Sequence, residues 1–333
     1  MKAVVYRNYG GPEVLSLAEV PFPVPGEREV VVEVVAGSVT TGDWRLRAAA
    51  FPPPFRLIGR LMFGLCRPRK TVLGGEFAGR VVAVGSRVTH FQKGDEVFGF
   101  SAFGAHAERV LLPEDGAIVH KPADLGFHEA AALPFGATSA LVFLRDFAEV
   151  RPGESVLVLG ASGGVGAYAV QIARALGARV TGVCSAAHAD FVAGLGAERV
   201  IDYRAEDFAA SGESWDVVLD TIGVTTLAKA RPALTQEGRF VPLNMGARDI
   251  LHALTNRFRR GPSVRVGVNE DRREYLEDLL AMIAAGQLRP VIDTIYPLEQ
   301  IRAAYRHVES RHRAGAIVLD VEGSLTDAEE LAA

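Results

Sequence analysis

"LVLGASGGVGAYAVQIARALGARVTGVCSAAH", Leu157 to His188, joins three patterns that one fold uses together. The run "SVLVLG" is apolar without interruption, as a strand buried on both faces must be. Glycines follow at once, and the amphipathic "VGAYAVQIARALGA" begins where they end. Strand, glycine turn and helix form the context of a dinucleotide site, where a helix N-terminus offers unpaired N–H groups and a positive dipole end to a pyrophosphate. The loop reads Ala161-Ser162-Gly163-Gly164-Val165-Gly166, so alanine takes the first glycine place of G-x-G-x-x-G and the other two are kept. Gly163 lets the backbone approach the pyrophosphate, and Gly166 lets helix and strand pack closely.

A site that prefers NAD places Asp or Glu at the end of the second strand, to accept from the ribose 2′-hydroxyl. After Val183 this chain reads Cys184-Ser185-Ala186-Ala187-His188, with no acid. A carboxylate there would repel a 2′-phosphate, whereas Ser185 and local N–H groups accommodate one, so NADPH is expected over NADH. His188 either adds to that phosphate site or is an exposed first-turn residue. Tyr203 and Arg204, after the third strand, are candidates for the adenosine end and its missing positive charge.

Outward from this loop, strand and helix alternate from about Asp124, which builds a parallel sheet covered on both faces. The strand candidates are Ser155–Leu159, Arg179–Val183, Arg199–Ile201, Asp216–Leu219, Arg239–Pro242 and Val264–Val268. "EDRREYLEDLLAMIAAG" from Glu270 reads as a helix with an apolar stripe at Tyr275, Leu276, Leu279, Leu280 and Ile283, closed by Gly286. The first third differs: "KAVVYR", "EVVVEVVAGSV", "FAGRVVAVG" and "DEVFGF" are short Val-rich strands between turn residues, as in a β-rich, barrel-like domain. The tail "HRAGAIVLDV" returns to strand character and is expected to rejoin that domain, placing the active site in the cleft between the two. The expected division is 1–122, completed by 288–333, and 123–287.

Composition narrows the chemistry. With 36 basic and 40 acidic residues among 333, the net charge is −4, which gives no footprint of a nucleic-acid binder. Cys66 and Cys184 are too few for a disulfide framework or a four-cysteine zinc site. The opening residues show no secretory h-region, and no apolar run reaches membrane-span length. A cytoplasmic protein acting on a small molecule is expected.

Nearly the whole chain resembles the medium-chain dehydrogenase/reductase superfamily, specifically its zinc-free quinone oxidoreductase branch. The resemblance runs through "LGGEFAGRVVAVGSRVTHFQKGDEVFGF", "GAHAERVLLP", "AAALPFGATSALVFL", "RPGESVLVLGASGGVGAYAVQIARALGARVTGV" and "LGAERVIDY", in family order and spacing. It implies an α/β fold with a GroES-like β-barrel catalytic domain and a Rossmann doubly wound parallel-sheet domain. The positions that hold catalytic zinc in zinc-dependent relatives look like Thr40 in "VTTGD", Gly75 in "GGE" and Pro134 in "LPFGATSA". None is a normal zinc ligand, so no metal is expected.

The resemblance also implies roles within the cleft. Thr138 in "GATSAL" is a candidate nicotinamide contact, with helix capping or packing as its alternative. Asp43 matches the family's acid and reads as structural rather than as a general acid. Thr40 is a candidate donor to substrate oxygen. Many relatives carry tyrosine where this chain has Arg45, which either binds an anionic group or a carbonyl oxygen, or is a solvated surface residue. Asn244 falls where the family backbone passes the nicotinamide.

Residues 48–70 mix Phe51, Phe55, Leu57, Ile58, Leu61, Met62, Phe63 and Leu65 with five cations. They read as a hydrophobic lid, as a basic amphipathic helix making peripheral membrane contact through 51–70, or as core or dimer packing. The expected activity is NADPH-dependent reduction of a quinone or of the C=C bond of an α,β-unsaturated carbonyl. The alternatives are an enoyl-thioester or tailoring reductase and a weakly active NADPH-binding sensor. A homodimer is implied by the resemblance, with Pro262–Val268 as the candidate edge strand unless it is covered within the monomer.

Overall fold

The computed structural model describes residues 1–51, 55–256 and 260–323. Six parallel strands form one sheet in the spatial order Arg199–Asp202, Arg179–Cys184, Ser155–Leu159, Trp215–Asp220, Leu234–Pro242, Ser263–Val264. In chain order that is third, second, first, fourth, fifth and sixth, the arrangement of a doubly wound dinucleotide fold. Its central strand is buried along Val156–Leu159, and the following helix, Gly166–Ala175, is buried over its first eight residues. An unbroken apolar run is what such a strand needs when helices cover both faces.

The other half is antiparallel for the most part. Glu29–Val39 is its spine, pairing with Glu76–Val84, Arg109–Pro113 and Ala316–Asp320. Two register shifts along the pairing with Glu76–Val84 bend this long strand. The last described strand, Ala316–Asp320, thus lies beside the first third of the chain. A polar seam ties the halves: the fully buried Tyr168 donates to the Ala132 carbonyl at 3.0 Å and accepts from the Val291 N–H at 3.1 Å. The helix Pro134–Leu141 approaches the glycine loop so closely that a Cβ on Gly136 would lie 2.2 Å from the Gly164 carbonyl oxygen.

The expected helix from Glu270 runs Arg273–Ala284, buries Leu276 and Leu279, and ends before Gly286 at φ +68°. The expected sixth strand, Val264–Val268, is corrected to Ser263–Val264. Beyond it the chain leaves the sheet, and Gly267 presses against Phe147, where a Cβ would come within 2.0 Å of the ring. The outer edge at Val264 is covered within the chain: Asn256 donates to its carbonyl at 2.6 Å and accepts from its N–H at 3.1 Å. The open edge expected to recruit a second copy through Pro262–Val268 is therefore absent at Val264.

Candidate active site

The glycine turn is built by backbone requirements. Gly160, at φ +79°, makes the left-handed turn that leaves the strand, so the sharp bend falls one residue before Ala161. Ala161 is buried, and its methyl faces Gly182 rather than the cleft. A Cβ on Gly166 would sit 2.0 Å from the Gly160 carbonyl oxygen, which fixes glycine there. A Cβ on Gly163 would meet only that same oxygen at 3.4 Å. Packing alone tolerates alanine at 163, so approach of a ligand to the backbone is the remaining reason for glycine. No side chain caps the helix at Val165, which leaves its first N–H groups to face an anion.

Gly163, Gly164 and Val165 line a cavity of about 460 Å³ between the two halves. The barrel side contributes Thr41, Trp44, Arg45, Phe55, Arg311 and Arg313. The Rossmann side adds Thr221 and Asn244 from the carboxyl ends of the fourth and fifth strands, where open α/β sheets bind ligands. Apolar walls with a few convergent polar groups suit a small ligand.

Arg45 crosses the cleft to donate to Asn244 Oδ1 at 2.6 Å. Burial, and then the nearby Arg311 guanidinium, hold the Arg45 pKa below its usual value. The Arg311 guanidinium lies over the Trp44 ring, 5.8 Å from its centroid. Among the described residues neither Arg45 nor Arg311 has an ion-pair partner, and no carboxylate lines the cavity. Arg313 reaches between the halves, donating to Thr41 Oγ1 at 3.3 Å beside Gly164. The result is a largely apolar cavity whose charged lining residues are all arginines.

The other expected contacts divide into two groups. Thr40 and Asp43 close on each other as a capping box at the helix Thr41–Ala48: the Thr40 hydroxyl donates to Asp43 Oδ2 at 2.6 Å and accepts from the Asp43 N–H at 3.1 Å. Asp43 also accepts from the Gly74 N–H at 3.1 Å. The Thr40 hydroxyl proton points to Asp43 here, so the donor role expected for Thr40 toward substrate requires it to leave that partner. Thr138 is buried, donates to the Pro134 carbonyl and accepts from Asn269 Nδ2 at 2.8 Å. Thr138 makes the contacts of the packing alternative here, and Asn269, which donates to it, lines the cavity. Its Oδ1 is buried without a partner among the described residues.

The second group lies at the outer ends of the strands. His188 Nδ1 is 3.2 Å from Ser162 Oγ, half-buried rather than exposed. Ser185 starts the short 3₁₀ turn Ala186–His188. The Tyr203 N–H donates to the Cys184 carbonyl at 3.3 Å, and the exposed Arg204 places its guanidinium 5.6 Å from the Tyr203 ring centroid. These residues gather beside the loop, outside the cavity.

Thr221, Asn269, Arg311 and Arg313 were not read from the sequence. The position of "DTIG" directly after the fourth strand is the signal that could have found Thr221. "RHRAG", before the last strand, carried no signal of which arginine would turn inward.

Residues 26–123 match the alcohol dehydrogenase GroES-like domain family and residues 195–319 the zinc-binding dehydrogenase family. The mouse quinone oxidoreductase is 32% identical over 336 residues, covering 95% of each chain. The chain belongs to the medium-chain dehydrogenase/reductase superfamily, among its quinone oxidoreductase-like members. A solved structure of the Escherichia coli quinone oxidoreductase complexed with NADPH is 30% identical, has a TM-score of 0.81, and is matched over 96% of this chain and all (100%) of that one. The CurK enoyl reductase aligns with a TM-score of 0.84 at 26% identity, over 96% and 98% of the two chains. As a superfamily member the chain is an oxidoreductase with the GroES-like and Rossmann-type architecture described above. The residues that the resemblance sets at the catalytic-zinc positions, Thr40, Gly75 and Pro134, are not normal zinc ligands, and among the described residues no group of three His, Cys, Asp or Glu is placed to hold a metal ion.

Proposed function

We propose that this protein is an NADPH-dependent oxidoreductase that reduces a quinone, or the C=C bond of an α,β-unsaturated carbonyl, without zinc. The observation that carries this reading is that Arg45, lacking a carboxylate partner, shares one cavity with the glycine loop. The NADPH-bound E. coli relative supports the cofactor. In this reading the cleft divides 1–122 plus 288–333 from 123–287.

When bound, NADPH supplies a hydride. The backbone of Gly163–Val165 and the Arg313 guanidinium would hold the diphosphate. Ser162, Ser185, His188, Tyr203 and Arg204 would receive the 2′-phosphate. Asn269 Oδ1, buried without a partner among the described residues, would accept from the carboxamide. Arg45, fixed by Asn244, holds the acceptor oxygen as it gains negative charge, the task that a metal performs in zinc-dependent relatives. Trp44, Phe135 and Phe143 exclude water from the acceptor. Water at the cavity mouth returns the proton that completes the hydroquinone or the saturated carbonyl. The CurK likeness favours a second reading, reduction of an enoyl thioester. We propose a cytoplasmic protein in which residues 51–70, of which 52–54 lie outside the described residues, make peripheral membrane contact. Among the described residues no helix is long and apolar enough to cross a membrane.

The test is anaerobic oxidation of NADPH and NADH with ortho- and para-quinones, enals, an enoyl thioester and simple ketones, with and without chelator. Chelator-insensitive turnover of quinones or enals with NADPH is the expected result. Turnover confined to ketones and abolished by chelator overturns the mechanism.

A further inference from the structure

The helices Arg56–Phe63 and Ala247–Thr255 both start at the cavity, since Phe55 and Met245, just before them, line it. The first is anchored by its inner side. Phe51 stacks on Phe63 with centroids 5.6 Å apart, Gly59 is buried against Phe51, and Tyr9 donates to the Gly64 carbonyl at 2.8 Å. Its aliphatic side chains turn the other way: Leu57, Ile58, Leu61, Met62 and Leu65 are each 54–67% exposed. A lid would turn these five toward the cavity; among the described residues of this segment only Phe55 lines it. On the second helix Leu251 and Leu254 are 62% and 70% exposed. Large aliphatics grouped in this way around one opening mark an interaction surface.

The charges beside the patch select its occupant. Residues 48–70 contain no Asp or Glu. Arg56, Arg67, Arg69 and Lys70 are exposed and have no ion-pair partner among the described residues. A two-fold contact through this patch would set one cation-rich surface against another of the same sign. An anionic lipid surface accepts both features, aliphatic side chains in the acyl boundary and cations among the headgroups.

We propose that the two helices form one docking face for an anionic lipid bilayer, with the mouth of the cavity turned toward the membrane. This deepens the membrane contact proposed for 51–70 by adding the helix Ala247–Thr255 and fixing the orientation. It does not depend on which acceptor the cavity takes. Apolar acceptors dissolved in the bilayer then reach the cavity without crossing water.

The test is flotation of the full-length protein with vesicles of phosphatidylcholine alone or with phosphatidylserine added, alongside turnover of a water-soluble quinone by the same samples. Wild type floats with the mixed vesicles and less well at high salt. Leu61→Glu and Leu254→Glu each weaken flotation at least about ten-fold, and Arg67→Glu with Arg69→Glu does so through charge, each cation contributing roughly five-fold. Soluble-quinone turnover stays at the wild-type level in all of these. Wild type that fails to float on mixed vesicles overturns the proposal, as does equal flotation of wild type and variants. So does a Leu61→Glu variant that turns a dimer into a monomer in sedimentation without changing flotation, since a second copy then covers the patch. Flotation with no turnover overturns the reductase reading alone.

Discussion

The two ends of the cavity are made from different materials. At the glycine loop the binding surface is main chain: Gly160 turns, Gly166 lets the helix close on the strand, and Gly163 leaves the backbone bare. At the Thr40–Arg45 end it is side chain, and each group is defined by the partner it has already taken. Thr40 is spent on Asp43, while Arg45 reaches Asn244 with its charge unmatched. One end is dictated by steric necessity, the other by a choice among partners distant in sequence.

Glycine substitutions at the loop test that contrast most severely. Gly166→Val puts a Cβ 2.0 Å from the Gly160 carbonyl oxygen, a backbone atom with no flexible side chain to yield. It should abolish NADPH binding by fluorescence titration and lower the melting temperature sharply. Gly163→Ala faces only a 3.4 Å contact, so it should melt near wild type yet bind NADPH more weakly. Equal loss of stability in both would mean that the loop is glycine-rich for packing alone.

The same division explains what the sequence made legible. Strand, glycine turn and helix are local, and their spacing placed Gly163, Gly164 and Val165 at the cavity correctly. The sixth strand misled because strand-like residues continue after the chain leaves the sheet: Val264 is buried on it and Val266 packs partly against the same core, but Gly267 turns to Phe147 and Val268 is 69% exposed. Thr138 stays open between its two readings because a threonine near the junction can turn either way, and here its hydroxyl bonds back along its own helix. Arg311 and Arg313 were unreadable because their position depends on the last strand returning to Glu29–Val39, nearly the whole chain away.

The side-chain end should carry a pH signature that the loop end lacks. Glu76 is 2% exposed, accepts from Ser38 and the Phe135 N–H, and has its pKa pushed by burial from 4.5 up to about 8. The folded state therefore keeps a proton that the unfolded chain releases above pH 4.5. Stability should fall as pH rises from there and level off above about 8, with a slope on the order of 1 kcal/mol per pH unit. Glu76→Gln, close in shape to the protonated acid, should remove this slope in denaturant titrations at several pH values. An unchanged slope in the variant would assign the pH dependence elsewhere.

Arg45 should affect chemistry more than fold. Arg45→Ala removes the cation assigned to the acceptor oxygen, and a loss of about 10²-fold in kcat is expected, as for other oxyanion donors. NADPH affinity should hardly move, because the loop end is untouched. Arg45→Lys should recover part of kcat, since the charge returns without the planar fork that meets Asn244 Oδ1. A variant impaired only in KM would make Arg45 an anchor for a ground-state anion instead.

Thr40 should show the smallest effect, and its sign separates a zinc-site remnant from a working donor. Its hydroxyl caps the helix Thr41–Ala48 and donates to a carboxylate that is itself held by Gly74. Thr40→Ala loses that cap and should cost about 1 kcal/mol of stability. Thr40→Ser keeps both hydrogen bonds and should be nearly silent. If the hydroxyl only holds Asp43, kcat with a soluble quinone stays within about two-fold in both variants, well short of the cost of losing an oxyanion donor. A large loss of kcat in Thr40→Ala at unchanged stability would mean that the hydroxyl leaves Asp43 when substrate binds, and the two ends of the cavity would then share the work on the acceptor oxygen.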